Sequence, residues 1–281
     1  MELSLGFSPC PNDTFIFDAL IHQKIDTEGL EFKVTFDDVE TLNQKALNSE
    51  LDITKLSFHA YAYVSDNYVL LDSGSALGFG VGPLLICKDK KFTDEKSLQT
   101  SNLNVGVPGK LTTANLLLGI AYPQLLNKKE MLFSNIEAEL QNGTIDLGLI
   151  IHENRFTYED RGLYKIVDLG SYWENLTGFP IPLGGIVIKN SLTSDVKNKV
   201  NRLVRKSVEY AFRNPKSAID FIKQYAQEMS EEVMYKHINL YVNKYSIDLG
   251  FEGKKAIKTL FDVAVKRNII KPIRKEIFLK E

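Results

Sequence analysis

The side chains able to do chemistry gather in four short stretches. One is His152-Glu153-Asn154-Arg155, which ends the apolar run Leu147-Gly148-Leu149-Ile150-Ile151. Such a run reads as a strand buried on both faces, hence a parallel strand between layers of helices. In open α/β sheets the crevice at the carboxyl ends of the strands is where ligands sit. An imidazole there titrates near neutral pH, so it can take a proton and return it. Position alone leaves His152 with two readings, a base in a cleft or a surface histidine at a strand end.

The other three stretches carry binding groups. Ser8-Pro9-Cys10-Pro11-Asn12-Asp13-Thr14 follows a short strand and offers a hydroxyl on Ser8, the amide of Asn12 and the start of a helix. Lys55-Leu56-Ser57 puts a cation and a hydroxyl at alternating strand positions, so Lys55 and Ser57 share a face. Gly109-Lys110-Leu111-Thr112-Thr113 precedes an apolar helix and offers a second helix start with two hydroxyls. Helix N-termini bind anions through free N–H groups and the helix dipole. Two of them facing one cleft imply a small anionic ligand, a carboxylate or a phosphate. For Thr112 and Thr113, plain helix capping stands as an equal alternative.

Other chemistries are excluded by spacing. The four histidines, His22, His59, His152 and His237, show no metal-ligand spacing with cysteines or carboxylates, so no metal site is expected. Pro108-Gly109-Lys110-Leu111-Thr112 lacks the spaced glycine of a phosphate loop, and Gly-x-Gly-x-x-Gly is absent. Cys10 near a helix start reads as a packed small residue rather than a nucleophile. His22 and His237 fall within helices, where they read as solvated or packed. His59 ends a first-half strand much as His152 ends a second-half one, which makes it the rival base.

The elements that must position these groups form two halves. The chain has 281 residues, more than one core usually needs, so two lobes are expected. A net charge of -2 suggests neither a nucleic-acid nor a polybasic membrane partner. Two distant cysteines, no signal-peptide pattern at the N-terminus and no apolar run of membrane length lead to a cytoplasmic expectation. In the first half, strands are expected at 3–7, 30–36, 52–58 and 68–71, with a helix at 39–47. In the second, strands are expected at 103–107, 131–133, 147–151 and 164–169, with helices at 114–126 and 136–141. The halves echo each other: Asn48-Ser49-Glu50-Leu51-Asp52 resembles Asn142-Gly143-Thr144-Ile145-Asp146, and Leu71-Asp72-Ser73-Gly74-Ser75 pairs with Val167-Asp168-Leu169-Gly170-Ser171. Gly82-Pro83-Leu84 likewise pairs with Pro182-Leu183-Gly184. One supersecondary unit is therefore read as used twice. Helical spacing follows Lys189, with helices expected from Val196, from Pro215, after Ser230 and over 254–266. The strands after the paired Gly-Pro and Pro-Leu-Gly stretches would cross between lobes. The lobes are then 1–83 plus 185–281, and 84–184, in a hinged solute-binding plan with the cleft between them.

The segment Ser8-Pro9-Cys10-Pro11-Asn12-Asp13-Thr14-Phe15 resembles the opening signature of the 1,4-dihydroxy-6-naphthoate synthase family of the futalosine route to menaquinone. The resemblance extends to Lys55-Leu56-Ser57, Gly109-Lys110-Leu111-Thr112-Thr113-Ala114, Gly148-Leu149-Ile150-Ile151-His152-Glu153 and Leu183-Gly184-Gly185, nearly the whole chain. It implies a two-lobed α/β fold of the type II periplasmic-binding-protein kind, each lobe a mainly parallel sheet flanked by helices. It also implies a carbon–carbon lyase that converts cyclic dehypoxanthine futalosine, a small anionic aromatic substrate, to 1,4-dihydroxy-6-naphthoate without metal or organic cofactor. His152 matches the family's proposed proton acceptor, Lys55, Leu56 and Ser57 one substrate-binding segment, and Thr112 and Thr113 the other. The hydroxyls and N–H groups of those threonines would suit an aromatic carboxylate, and Lys55 a developing oxyanion. The alternatives are an enzyme like the pathway's chorismate dehydratase, which lacks the opening signature, or a non-catalytic solute-binding protein of the same fold.

Overall fold

The computed structural model describes residues 1–99, 102–225 and 230–280. Its strands are β1 (Glu2–Phe7), β2 (Glu31–Phe36), β3 (Ile53–Ser57), β4 (Tyr68–Leu70), β5 (Ala76–Gly78), β6 (Leu84–Cys87), β7 (Val105–Val107), β8 (Lys128–Glu130), β9 (Leu147–Ile150), β10 (Tyr164–Asp168) and β11 (Ile181–Lys189). Helices α1 (Pro11–Ile21), α2 (Val39–Leu47) and α3 (Phe58–Val64) follow the first three strands. Helices α4 (Thr113–Ala121), α5 (Ile136–Asn142) and α6 (Leu169–Thr177) belong to the second half. The chain ends in α7 (Ser194–Arg213), α8 (Ile219–Tyr225), α9 (Glu231–Tyr241), α10 (Lys244–Ile247) and α11 (Gly250–Lys266).

The strands form two sheets built to one plan. The first runs β2-β1-β3-β11-β4, with β5 added on β11; the second runs β8-β7-β9-β6-β10. Position by position, β1, β2, β3 and β4 correspond to β7, β8, β9 and β10. The remaining place in each sheet is taken by a strand arriving from the other half, β11 in the first and β6 in the second. The repeat seen in the sequence is therefore a repeat of topology. Within each half the strands are parallel, β1 with β2 and β3, and β7 with β8 and β9. The crossing strands pair antiparallel, so both sheets are mixed.

Several elements differ from the sequence expectation. The strand expected at 131–133 lies at Lys128–Glu130, where it pairs with β7 at the sheet edge. Edge strands carry lysines, so an apolar pattern does not find them. The helix expected to reach Leu126 stops at Ala121, because Tyr122 precedes Pro123 and the residue before proline is pushed out of the helical region. Pro215 starts a turn, and the helix begins at Ile219.

Helix α1 explains how the first cleft loop is held. All its residues but the last are buried, since α7 and α9 cover the side away from the sheet. The Ser207 hydroxyl donates to the Ile16 carbonyl at 2.6 Å and accepts from the Leu20 N–H at 3.1 Å, which ties α7 to α1 within the core. Helix α11 packs on β11 and reaches α4. One hydrophobic cluster accordingly includes Leu56 of the first sheet, Leu85 and Val105 of the second, Leu117 of α4 and Leu260 of α11. Among the described residues no helix is long and apolar enough to cross a membrane.

Candidate functional site

Because the two halves follow one plan, the carboxyl ends of β1 and β3 meet those of β7 and β9 across a cleft. Ser8, Asn12, Lys55, Leu56, Ser57, Thr112, Thr113 and His152 all line it, so the fold brings together every residue that the sequence singled out as a site residue. Asp13, Leu183, Gly184 and Tyr241 join them. Gly184 fits there because a Cβ would stand 2.7 Å from the Leu56 carbonyl oxygen.

On the first-lobe side the groups form one buried network around Asp13. Pro11 opens α1 and has no N–H to offer, and Asp13 occupies the first turn. The Asp13 carboxylate accepts from the Ser8 hydroxyl at 2.8 Å and the Ser8 N–H at 3.4 Å. It also accepts from the Asn12 amide at 2.7 Å and from Lys55 Nζ at 2.9 Å. Lys55 gives a second bond to the Gly74 carbonyl at 3.0 Å. Ser57 is fixed by Asn43 of α2, whose amide oxygen accepts the Ser57 N–H at 2.9 Å. The N-terminus of α1 thus already holds a carboxylate of its own, and Lys55 is already paired.

The second-lobe side is different. Thr112 caps α4, accepting the Asn115 N–H at 3.3 Å, while its hydroxyl donates to the Gly109 carbonyl at 2.9 Å. The Thr113 hydroxyl donates to the Leu183 carbonyl of β11 at 2.5 Å. Both hydroxyl protons are therefore committed to carbonyls. What α4 turns to the cleft is its N-terminal turn at Thr113 and Ala114, whose N–H groups have no acceptor within the helix. Glu40 of α2 reaches across and accepts from the Leu111 N–H at 3.1 Å; burial holds its carboxyl above the usual range.

His59, the rival base, does not line the cleft. It starts α3 rather than ending β3, and its Nδ1–H donates to the Thr112 carbonyl at 3.2 Å. Burial holds its imidazole down at about 4. His59, itself outside the cleft, therefore links α3 to Thr112 in the cleft wall.

His152 stands at the carboxyl end of β9, in the topological place that His59 has after β3. Its backbone has φ +58°, a left-handed conformation. Such a conformation costs a non-glycine residue roughly 1–2 kcal/mol. The turn is held by Arg155, which donates to the Gly82 carbonyl and pairs with Asp168 at 2.9 Å. The half-buried ring meets Phe133 edge-on at 4.8 Å between centroids and lies parallel to His237 at 6.0 Å. Among the described residues, none hydrogen-bonds its ring nitrogens. Burial pushes its pKa down, and the carboxylates of Glu153, Asp13 and Asp38 pull the other way. The imidazole lines the cleft with no hydrogen-bond partner among the described residues.

Of the two sequence readings of His237, solvated or packed, the structure shows the packed one. It is wholly buried in the site wall, and its Nε2 donates to the Asn12 amide oxygen at 2.8 Å. That direction follows from Asn12, whose NH₂ faces the acceptor-only Asp13 carboxylate. Burial, with His152 second, holds His237 well below the usual imidazole range. Nothing local marks such a residue, because its partners lie far away in the chain. Asp13 had a signal, a carboxylate in the first turn of a helix. Cys10 occupies the N-cap position of α1 without a side-chain capping bond, and burial, with Glu153 second, pushes its thiol well up. The fold brings its Sγ to the side of His152 and Glu153, a juxtaposition that ligand spacing along the chain could not reveal.

The family model described as menaquinone biosynthesis matches residues 3–266. The chain belongs to this family. A protein of Thermus thermophilus named 1,4-dihydroxy-6-naphthoate synthase is 44% identical over 277 residues, covering 99% of each chain. A crystal structure of an Archaeoglobus fulgidus protein superposes with a TM-score of 0.89 at 33% identity, over 96% of this chain and 98% of that one. A Candida albicans protein described as having the generic periplasmic-binding-protein fold gives 0.67 at 15% identity, over 100% and 98% of the two chains. The fold of this family member is therefore the two-lobed periplasmic-binding-protein-like α/β fold, and its relatives place it in menaquinone biosynthesis.

Proposed function

We propose that the protein is a carbon–carbon lyase that converts cyclic dehypoxanthine futalosine to 1,4-dihydroxy-6-naphthoate, with His152 as general base. The lobes are taken as 1–83 plus 185–281, and 84–184. The observation that carries the reading is the half-buried imidazole of His152, without a hydrogen-bond partner among the described residues, in the same cleft as the open N-terminus of α4. The relative's printed name supports the product. In this reading the ligand's carboxylate sits on the Thr113 and Ala114 N–H groups, since α1 already holds Asp13. Lys55 and Ser57 face the reacting oxygens from β3, and Leu56 packs against the ring. Ser8 and Asn12 hold the Asp13–Lys55 pair in place. His152 takes a proton as the carbon–carbon bond breaks, and the imidazolium returns it to the carbon that keeps the electron pair. Two unpaired cysteines fit a cytoplasmic setting.

The test is to incubate the purified protein separately with cyclic dehypoxanthine futalosine and with chorismate, and to follow naphthoate by chromatography and absorbance. Naphthoate from the first substrate alone is expected. Turnover of chorismate would make it a dehydratase, and tight binding of the first compound without turnover would make it a solute-binding protein.

A further inference from the structure

We propose that Cys10, His152 and Glu153 form a binding site for a thiophilic divalent cation of the zinc class, and that its occupancy switches the base off. The switch rests on the role given to His152 above; the site itself does not. Cys10 Sγ, a ring nitrogen of His152 and a carboxylate oxygen of Glu153 all lie within 4.8 Å of one another. Zinc takes sulfur at ~2.3 Å and nitrogen or oxygen at ~2.0–2.2 Å, so its ligand atoms stand roughly 3–4 Å apart. Closing the cluster on an ion needs side-chain movements of about 1 Å. One thiolate, one imidazole and one carboxylate suit zinc rather than magnesium or calcium, which prefer all-oxygen shells.

A second observation is independent of that spacing. Glu153 is only 7% exposed, and its Oε2 has no hydrogen-bond partner. His237 Nδ1, in a fully buried ring, has none either, and the two atoms face each other at 3.8 Å. His237 uses Nε2 on Asn12, so its Nδ1 and the Glu153 oxygen are left facing each other without a partner. Buried polar atoms left unpartnered are costly unless positive charge or a donor joins them. A cation on Glu153 would satisfy its carboxylate. Water in the ion's open fourth position would have His237 Nδ1 as its acceptor, the usual second layer of support at a metal site.

There is also a way in. A recess beside the main cleft is lined by Cys10, His152 and Glu153, together with Asp37 and Asp38. Asp37 is paired with Lys45 at 2.6 Å and Asp38 caps α2, so Asp38 is the carboxylate left to favour a cation there. As the ion binds, the Cys10 thiol proton is released to solvent, because only the thiolate is a ligand. The His152 lone pair is then spent on the metal and cannot take a substrate proton.

Cobalt(II) reports this directly. Titrating reduced, chelator-stripped protein with Co²⁺ is expected to give a near-ultraviolet thiolate-to-cobalt band and visible tetrahedral bands, saturating at one equivalent and displaced by Zn²⁺. Cys10→Ser should lose the thiolate band, and Cys87→Ser should keep it, since Cys87 is buried in the second sheet. Glu153→Gln, folded by circular dichroism, should weaken binding at least tenfold and covers the case in which Cys10→Ser fails to fold. No thiolate band, a band that survives Cys10→Ser, or unchanged affinity in Glu153→Gln overturns the site. Naphthoate formation is followed in parallel. A one-equivalent band accompanied by loss of turnover that EDTA restores supports the switch. The same band with turnover unchanged overturns the switch and leaves the site standing. Absence of naphthoate formation even in metal-free protein is a failure of the lyase reading instead, and the cobalt bands still decide the site.

Discussion

The Asp13–Lys55 pair gives a prediction whose size and asymmetry both follow from the hydrogen bonds. The two side chains are 3% and 8% exposed and meet at 2.9 Å. Removing one partner of a buried pair leaves an uncompensated charge and costs ~3–5 kcal/mol. The two removals are not equivalent here. Without Lys55, Asp13 keeps the Ser8 hydroxyl, the Ser8 N–H and the Asn12 amide. Without Asp13, Lys55 keeps only the Gly74 carbonyl. Asp13→Ala is therefore expected to cost about 3–5 kcal/mol, and Lys55→Met about 1–3 kcal/mol because most donors to the remaining charge survive. Adding Lys55→Met to Asp13→Ala removes the stranded ammonium and should restore about 1–3 kcal/mol. Urea unfolding at pH 7 of the wild type, both single variants and the double variant closes the cycle. A Lys55→Met variant less stable than Asp13→Ala, or a double variant no more stable than Asp13→Ala, refutes the reasoning.

Burial lowers the His152 pKa, so its base form should persist below the ordinary imidazole range. In the presence of EDTA, kcat/KM should stay flat through neutrality and fall on acidification with a midpoint below about 6.5; a midpoint at or above that value contradicts the assignment. Folding lowers the pKa of His59 to about 4, so the unfolded chain binds its proton first. Stability should therefore fall as pH drops from about 6.5 toward 4, by up to ~3 kcal/mol from this residue. Urea midpoints measured across that range should show a shallower fall in His59→Gln. A Cβ at Gly184 would meet the Leu56 carbonyl at 2.7 Å, so Gly184→Ala should push β11 from β3, costing ~1–3 kcal/mol by urea unfolding and impairing turnover.

Much of this site could be read from the sequence because its groups sit at repeated, locally marked places. Proline and small residues end β1, Pro-Gly precedes α4, and an apolar strand ends in His152, so the strand-end rule led to three walls of the cleft. The equivalence of His59 and His152 was legible too, from the turn and aspartate that precede each strand. Which of the two faces the cleft was not, because that depends on the contact of His59 with Thr112 across the lobes. Helix α3 escaped because Phe58-His59-Ala60-Tyr61-Ala62-Tyr63-Val64 carries no charged residue even where Tyr63 is exposed, so it shows no amphipathic period to detect. Helix α6 had a legible cap in Asp168, which accepts from the Gly170 and Ser171 N–H groups, but the same aspartate ends β10, and the strand pattern runs one residue past it. His237 and Cys10 join the site only through tertiary packing of α9 and α1.

The central claim is that His152 is the base. The most direct measurement is the rate of naphthoate formation from saturating cyclic dehypoxanthine futalosine by His152→Asn, with folding checked by circular dichroism. General-base catalysis is worth ~10²–10⁴-fold, so kcat should fall by that factor while the substrate still binds. A His152→Asn variant that forms naphthoate within about tenfold of the wild-type rate contradicts the account, since losing a general base costs at least ~10²-fold.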